Sequence, residues 1–177
     1  MLNAEEYQGG HRMVEVKKIL ACIDLSDYSE EVLDYAITLA RMFRAEVVII
    51  NVINKREIDA ISMAGQHYPE LVNVATYMQR TKADRRSRIE TLLDSVFAGN
   101  GIGIAIRIQA GVPFEEILLA INEEKVDLVV LGNKGRTNLA RTLLGSHAEK
   151  VFRHSPVPVL NVRNRQKFAA AAERRSR

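Results

Sequence analysis

Two rhythms of apolar residues alternate along this chain. Short apolar runs recur at 17–24 (KKILACID), 46–53 (EVVIINVI), 102–110 (IGIAIRIQA), 128–131 (LVVL) and 157–163 (VPVLNVR). Each reads as a strand, and the run at 128–131 as one buried on both faces. Between them apolar residues return at helical intervals. One stripe is Val32, Leu33, Ala36, Ala40 and Phe43; a second is Ile89, Leu92, Leu93 and Val96, on a helix over about 76–98; a third is Phe114, Ile117, Leu118 and Ile121. Ser26 or Asp27 caps the first helix, Asp27 and Glu30 having capping-box spacing. The sequence GNG at 99–101 ends the second, and Pro113 opens the third. The segment 54–75 is less regular, with Gly65 and Pro69 interrupting it. It predicts a short helix and a mobile loop, following a strand end where a lid would sit.

Strand–helix alternation that closes on a strand predicts an α/β fold, a doubly wound five-stranded parallel sheet. Right-handed crossovers and a single reversal of winding give the order 3-2-1-4-5, although sequence alone does not fix it. The expected organisation is a polar, flexible N-terminal arm over 1–15, one domain over 16–163 and a basic tail over 164–177.

Composition narrows the classes of function. The 177 residues suffice for a sizeable core, and 47% hydrophobic with 27% charged residues is ordinary for a globular protein. No apolar run nears the roughly 18 residues of a membrane span, and the first residues lack a signal-peptide core. The lone Cys22 lies in a strand pattern, so a buried, inert thiol and a reducing cytoplasm are expected. The net charge is +3, yet 163–177 alone holds six basic residues and one acid, which leaves −2 for the rest. The basicity thus belongs to a tail. A second cluster, Arg80, Lys82, Arg85, Arg86 and Arg88, is interleaved with Asp84 and Glu90 and lacks an aromatic stacking platform. It reads as a solvated helix face, and no nucleic-acid partner is expected. His11, His67 and His154 show no ligand spacing, so no zinc site is expected.

The chemistry concentrates in 127–149, DLVVLGNKGRTNLARTLLGSHAE. A buried strand stops at Gly132, Gly135 follows in a tight polar loop, and Gly145-Ser146 starts a helical pattern that SPVP ends at 155–158. Ser146 and Glu149 have capping-box spacing. A strand end, a glycine loop and a helix N-terminus together attract anions, phosphate above all, because unpaired amides point outward there and no Cβ blocks approach. There is no Walker A loop and no dinucleotide fingerprint. Asp24, the first polar residue after strand one, admits two readings. It is a site carboxylate opposite Gly132 across the switch point of the sheet, or a helix-capping carboxylate.

The spacing Gly132-x2-Gly135-x9-Gly145-Ser146, with GRTNL and LLGS around it, resembles the nucleotide-binding motif of the universal stress protein family, ATP-binding branch. DLS at 24–26 is similar to the D-x-S pattern of that family, and the resemblance runs from about 17 to 163. It implies a Rossmann-like fold of the adenine nucleotide alpha hydrolase type and supports the order 3-2-1-4-5. It implies ATP as ligand, with Val52 meeting the adenine edge through its backbone and Asp24 beside the ribose or beside a Mg2+ ion. Leu131 and Gly132 would border base and ribose, and Gly135, Arg136, Gly145, Ser146 and His147 would surround the phosphates. His147 departs from the small apolar residue of many relatives, so phosphate contact and a solvent-facing histidine both stand. A homodimer through the fifth strand, Val157 to Arg163, is also implied, since an unprotected edge invites pairing.

The expected function is a nucleotide-responsive switch or adaptor in stress response, with an unidentified protein partner and at most slow hydrolysis, because no supported general base is evident. Two alternatives remain. An ATP-cleaving enzyme on a related fold would carry S-G-G-x-D-S after strand one, where this chain has DLSDYS at 24–29. A nucleotide-free dimeric stress protein would have lost the glycine pattern, which this chain keeps.

Overall fold

The computed structural model describes residues 15–97, 101–133 and 145–163. Strands β1 (Lys18–Cys22), β2 (Glu46–Asn54), β3 (Ile104–Gly111), β4 (Leu128–Gly132) and β5 (Val159–Val162) form one sheet in the order β3-β2-β1-β4-β5. All four pairings are parallel. The expected fold class and strand order are therefore those observed. Helices α1 (Ser29–Phe43), α2 (Lys55–His67), α3 (Val74–Phe97), α4 (Pro113–Glu124) and α5 (Ser146–His154) connect them.

Side chains of a strand alternate between faces, and both faces of this sheet are covered. Ile19 and Ala21 of β1 pack into one core with Val47 and Ile49 of β2, under α1 and α3. Leu20, Val48 and Ile50 face the other core, closed by Ile117, Ala120 and Ile121 of α4 and Val151 of α5. Such apolar burial contributes about 1.5–3 kcal/mol per large side chain, which is why these runs are legible as strands.

Local details depart from expectation. Neither Ser26 nor Asp27 caps α1: the N-cap residue is Tyr28, without a side-chain cap. Ser26 Oγ instead accepts the Tyr28 amide at 3.4 Å. Phe43 is 46% exposed, and Ile37 takes the place in the core stripe that Phe43 was expected to hold. The helix ends there in a left-handed Arg44, after Ala40 of its last turn has packed into the core at 0% exposed. Most of 54–75 is helical. Asn54 Oδ1 accepts the Arg56 amide at 3.0 Å, and this cap starts α2. Pro113 is the first residue of α4, as expected.

Candidate functional site

Strand β1 is flanked by β2 and β4, and the winding reverses at its carboxyl end. An open sheet places ligands at such a point. The last ladder bond between β1 and β2 joins the Ile23 amide to the Ile50 carbonyl at 3.0 Å. Leu25 then sits at φ 61, a left-handed conformation strained for a bulky residue. Asp24 Oδ1 accepts the Ser26 amide at 3.0 Å and closes this turn at the strand exit.

A cavity of about 290 Å³ opens at this point. Asp24, Val52, Leu131, Gly132, Gly145, Ser146 and His147 all line it. Gly135 and Arg136 lie in 134–144, outside the described residues. Its volume is close to the ~300 Å³ at which small-molecule sites begin.

The α5 end of the cavity is built from backbone. The Gly145 amide donates to the Asn133 carbonyl at 2.7 Å, and the Asn133 amide donates to the Val162 carbonyl at 3.0 Å. These bonds fasten the start of α5 to the ends of β4 and β5. Gly145 is the N-cap residue of α5, without a side-chain cap, and Ser146 is the exposed first helical residue. The capping box expected at Ser146 is therefore one position out of register. Glu149 pairs with Arg153 at 2.9 Å, and its amide donates to the Gly145 carbonyl at 2.8 Å. The amides of Ser146, His147 and Ala148 have no carbonyl of their own helix to bond, and the helix dipole is positive there.

His147 is half-buried, not solvent-facing. Its ring stacks on Phe114, with centroids 6.3 Å apart and planes at 21°, and Lys150 Nζ lies 4.4 Å from the same Phe114 ring. Nδ1 is buried with no partner among the described residues. Burial, then the charges of Lys150 and Arg56, hold its pKa below the ordinary value of 6.5. Cys22 also lines the cavity, and burial pushes its thiol pKa up, so it is no thiolate nucleophile at neutral pH.

Two basic residues of the cavity wall escaped the sequence reading. Arg56, in the first turn of α2, lines the pocket beside Asn54. Arg85 does so from α3, and it is 4% exposed, so it is not part of the solvated face expected of its cluster. Arg86 and Arg88 do fit that expectation, pairing with Glu90 and Asp84 at 3.8 and 4.0 Å on the exposed side of α3. The signal for Arg85 was its place four residues before Ile89, on the inward stripe of α3.

The universal stress protein family model matches residues 15–163. The chain belongs to that family. This universal stress protein is 32% identical over 165 residues to universal stress protein MJ0577 of Methanocaldococcus jannaschii, with 86% of this chain and 98% of that protein covered. It is also 32% identical over 146 residues to universal stress protein YxiE of Bacillus subtilis, covering 82% of this chain and 98% of the other. The solved structure of MJ0577 superposes with a TM-score of 0.72 at 28% identity, over 86% of this chain and 99% of that one. A universal stress protein solved in complex with cAMP shares the fold, with a TM-score of 0.57 at 24% identity, over 84% of this chain and 98% of that one.

Proposed function

We propose that this universal stress protein binds ATP in the cavity at the β1–β4 crossover and acts as a nucleotide-responsive switch or adaptor in a cytoplasmic stress response. The observation that carries the reading is the convergence of Asp24, Val52, Gly132 and Gly145 on one cavity, from four segments far apart in sequence. In this reading the Val52 backbone meets the adenine edge, and Leu131 and Gly132 border base and ribose. The Asp24 carboxylate accepts from the ribose hydroxyls. The phosphates lie against the first-turn amides of α5, with Ser146 and His147 beside them; Gly135 and Arg136, expected to join them, lie outside the described residues. One solved relative of this fold was captured with cAMP, so the fold can house an adenine nucleotide.

No group of three or more His, Cys, Asp or Glu side chains able to hold a metal occurs among the described residues. A Mg2+ ion would therefore arrive on the phosphates, with Asp24 beside it, rather than in a protein cage. The switch works on a partner through α2 and the chain that follows it, and the protein is a homodimer joined through 157–163.

Mass analysis of ligand released from the purified protein, beside a calorimetric titration with ATP and Mg2+, tests the reading. Recovered or tightly bound ATP, lost in Gly145→Leu, is the expected result. No ATP or ADP binding at millimolar concentration would sink it.

A further inference from the structure

A buried charged network runs behind the cavity. Arg85 Nη1 donates to Asn51 Oδ1 at 2.9 Å and to the Val52 carbonyl at 3.0 Å. Its Nη2 donates to Glu57 Oε2 at 2.9 Å, and Tyr77 Oη donates to Glu57 Oε1 at 2.9 Å. Burying a guanidinium is costly unless geometry and pairing are good, and here one side chain spans three acceptors on β2 and α2.

The Val52 carbonyl is the important one. The Ile50 carbonyl takes the last bond from β1, and residue 52 points to the same side of β2, beyond the reach of β1. Val52 lines the cavity, and its carbonyl finds Arg85 instead of a neighbouring strand. A carbonyl oxygen has two lone pairs, so one remains for a ligand donor such as an exocyclic amine. Arg85 fixes the direction in which it is offered. The Ile53 amide of the same peptide faces β3 in the ladder, so Arg85 holds only the carbonyl side, where β1 has ended; without that bond the peptide tilts and an acceptor at the base edge is weakened.

The other hand of Arg85 holds α2, which has no fully buried residue and packs on β2 and α3. An element so lightly anchored belongs to the low-stability end of a fold. Its polar fastening is the Arg85–Glu57 pair, reinforced by Tyr77.

Resting on the ATP-binding reading above, we propose that Arg85 is a positioning residue that couples base recognition to the seating of α2. It orients the Val52 carbonyl that selects a base with a 6-amino group, as in adenine, over one with a 6-oxo group, as in guanine, and the same guanidinium ties that carbonyl to Glu57. A ligand that loads the carbonyl thereby tightens α2, and a partner that grips α2 raises affinity for the nucleotide by the same factor.

The test compares wild type with Arg85→Lys, Arg85→Met, Glu57→Gln and the control Arg86→Met. Calorimetry gives affinities for ATP and GTP, and hydrogen exchange follows 55–67 with and without ATP. Wild type is expected to prefer ATP and to slow exchange across 55–67 when it binds. Arg85→Met is expected to lose the preference by about tenfold, the scale of one charged hydrogen bond, together with the ATP-dependent protection. Arg85→Lys should lose part of both, because an ammonium cannot span the three acceptors. Glu57→Gln should keep the base preference and lose protection, and Arg86→Met should keep both. Unchanged preference and protection in folded Arg85→Lys and Glu57→Gln would overturn the coupling while leaving ATP binding intact. Failure of wild type to bind ATP would overturn the nucleotide reading, and this inference with it.

Discussion

The Asn51 side-chain amide donates to the Ile23 carbonyl at 2.8 Å and joins the exits of the two central strands. Asn51 is 0% exposed, and its oxygen receives Arg85, so donor and acceptor are both used inside the protein. Asn51→Leu keeps the volume but leaves the Ile23 carbonyl unpaired and Arg85 short of one acceptor. It should destabilise the fold by about 2–3 kcal/mol, read as a lower urea midpoint at unchanged slope. A wild-type midpoint for Asn51→Leu would mean the network adds nothing to stability.

Gly145 separates ligand effects from folding effects. Its φ of −68 and ψ of 148 suit any residue, so a side chain there causes no backbone strain. Its amide bond to Asn133 is also retained in any non-proline variant. Gly145→Leu adds bulk at a wall of the cavity and should lower ATP affinity by tenfold or more, at a cost of only about 1 kcal/mol in stability, because leucine is a poorer N-cap than glycine. Calorimetry beside urea unfolding checks both halves. Ser146→Ala should leave stability unmoved, since the Ser146 hydroxyl is not the cap of α5.

The strands were legible because parallel strands buried on two faces must be apolar almost throughout, as at Val47 to Ile50. The glycines of the cavity were legible because their spacing follows from backbone chemistry. What escaped was decided by tertiary context. Phe43 and Ile37 both fit a helical stripe, and only the docking of α1 on the sheet separates them, with Ile37 in the core and Phe43 half in solvent. Arg85 and Arg86 are neighbours of equal charge, and a one-residue turn of about 100° sends one toward Asn51 and the other to the Ile106 carbonyl at 3.0 Å. The start of α5 was misjudged by a single residue because Gly145, which has no side chain to signal a cap, occupies the position.

Among the described residues no strand pairs with the outer edge of β5, which gives a test of assembly. The Pro158 and Val162 carbonyls accept from Val129 and Asn133, so even-numbered residues of β5 bond β4. The backbone groups of Val159 and Asn161 therefore point to the open edge. If a second copy pairs there, Asn161→Pro removes an intermolecular donor without touching the ladder to β4. Sedimentation velocity should show a dimer for wild type and mainly monomer for the variant. A dimer that persists unchanged would place the interface elsewhere.

His147 makes the site sensitive to pH. Its folded pKa lies below the ordinary 6.5, first through burial and then through Lys150 and Arg56. In the window between that lowered value and 6.5 the unfolded chain binds more protons at this position than the folded one. Stability is thus fully present above pH 6.5 and falls as pH drops through the window, and His147→Gln should remove this component. Nucleotide phosphates placed beside the ring act in the opposite sense. Their negative charge favours the imidazolium, so ATP binding should draw a proton from solution near about pH 6. Calorimetry in two buffers of different ionisation enthalpy measures that uptake directly. Tighter ATP binding at about pH 6 than at about pH 8, with proton uptake abolished in His147→Gln, is the expected pattern. Equal uptake in both proteins would show that His147 does not meet the phosphates.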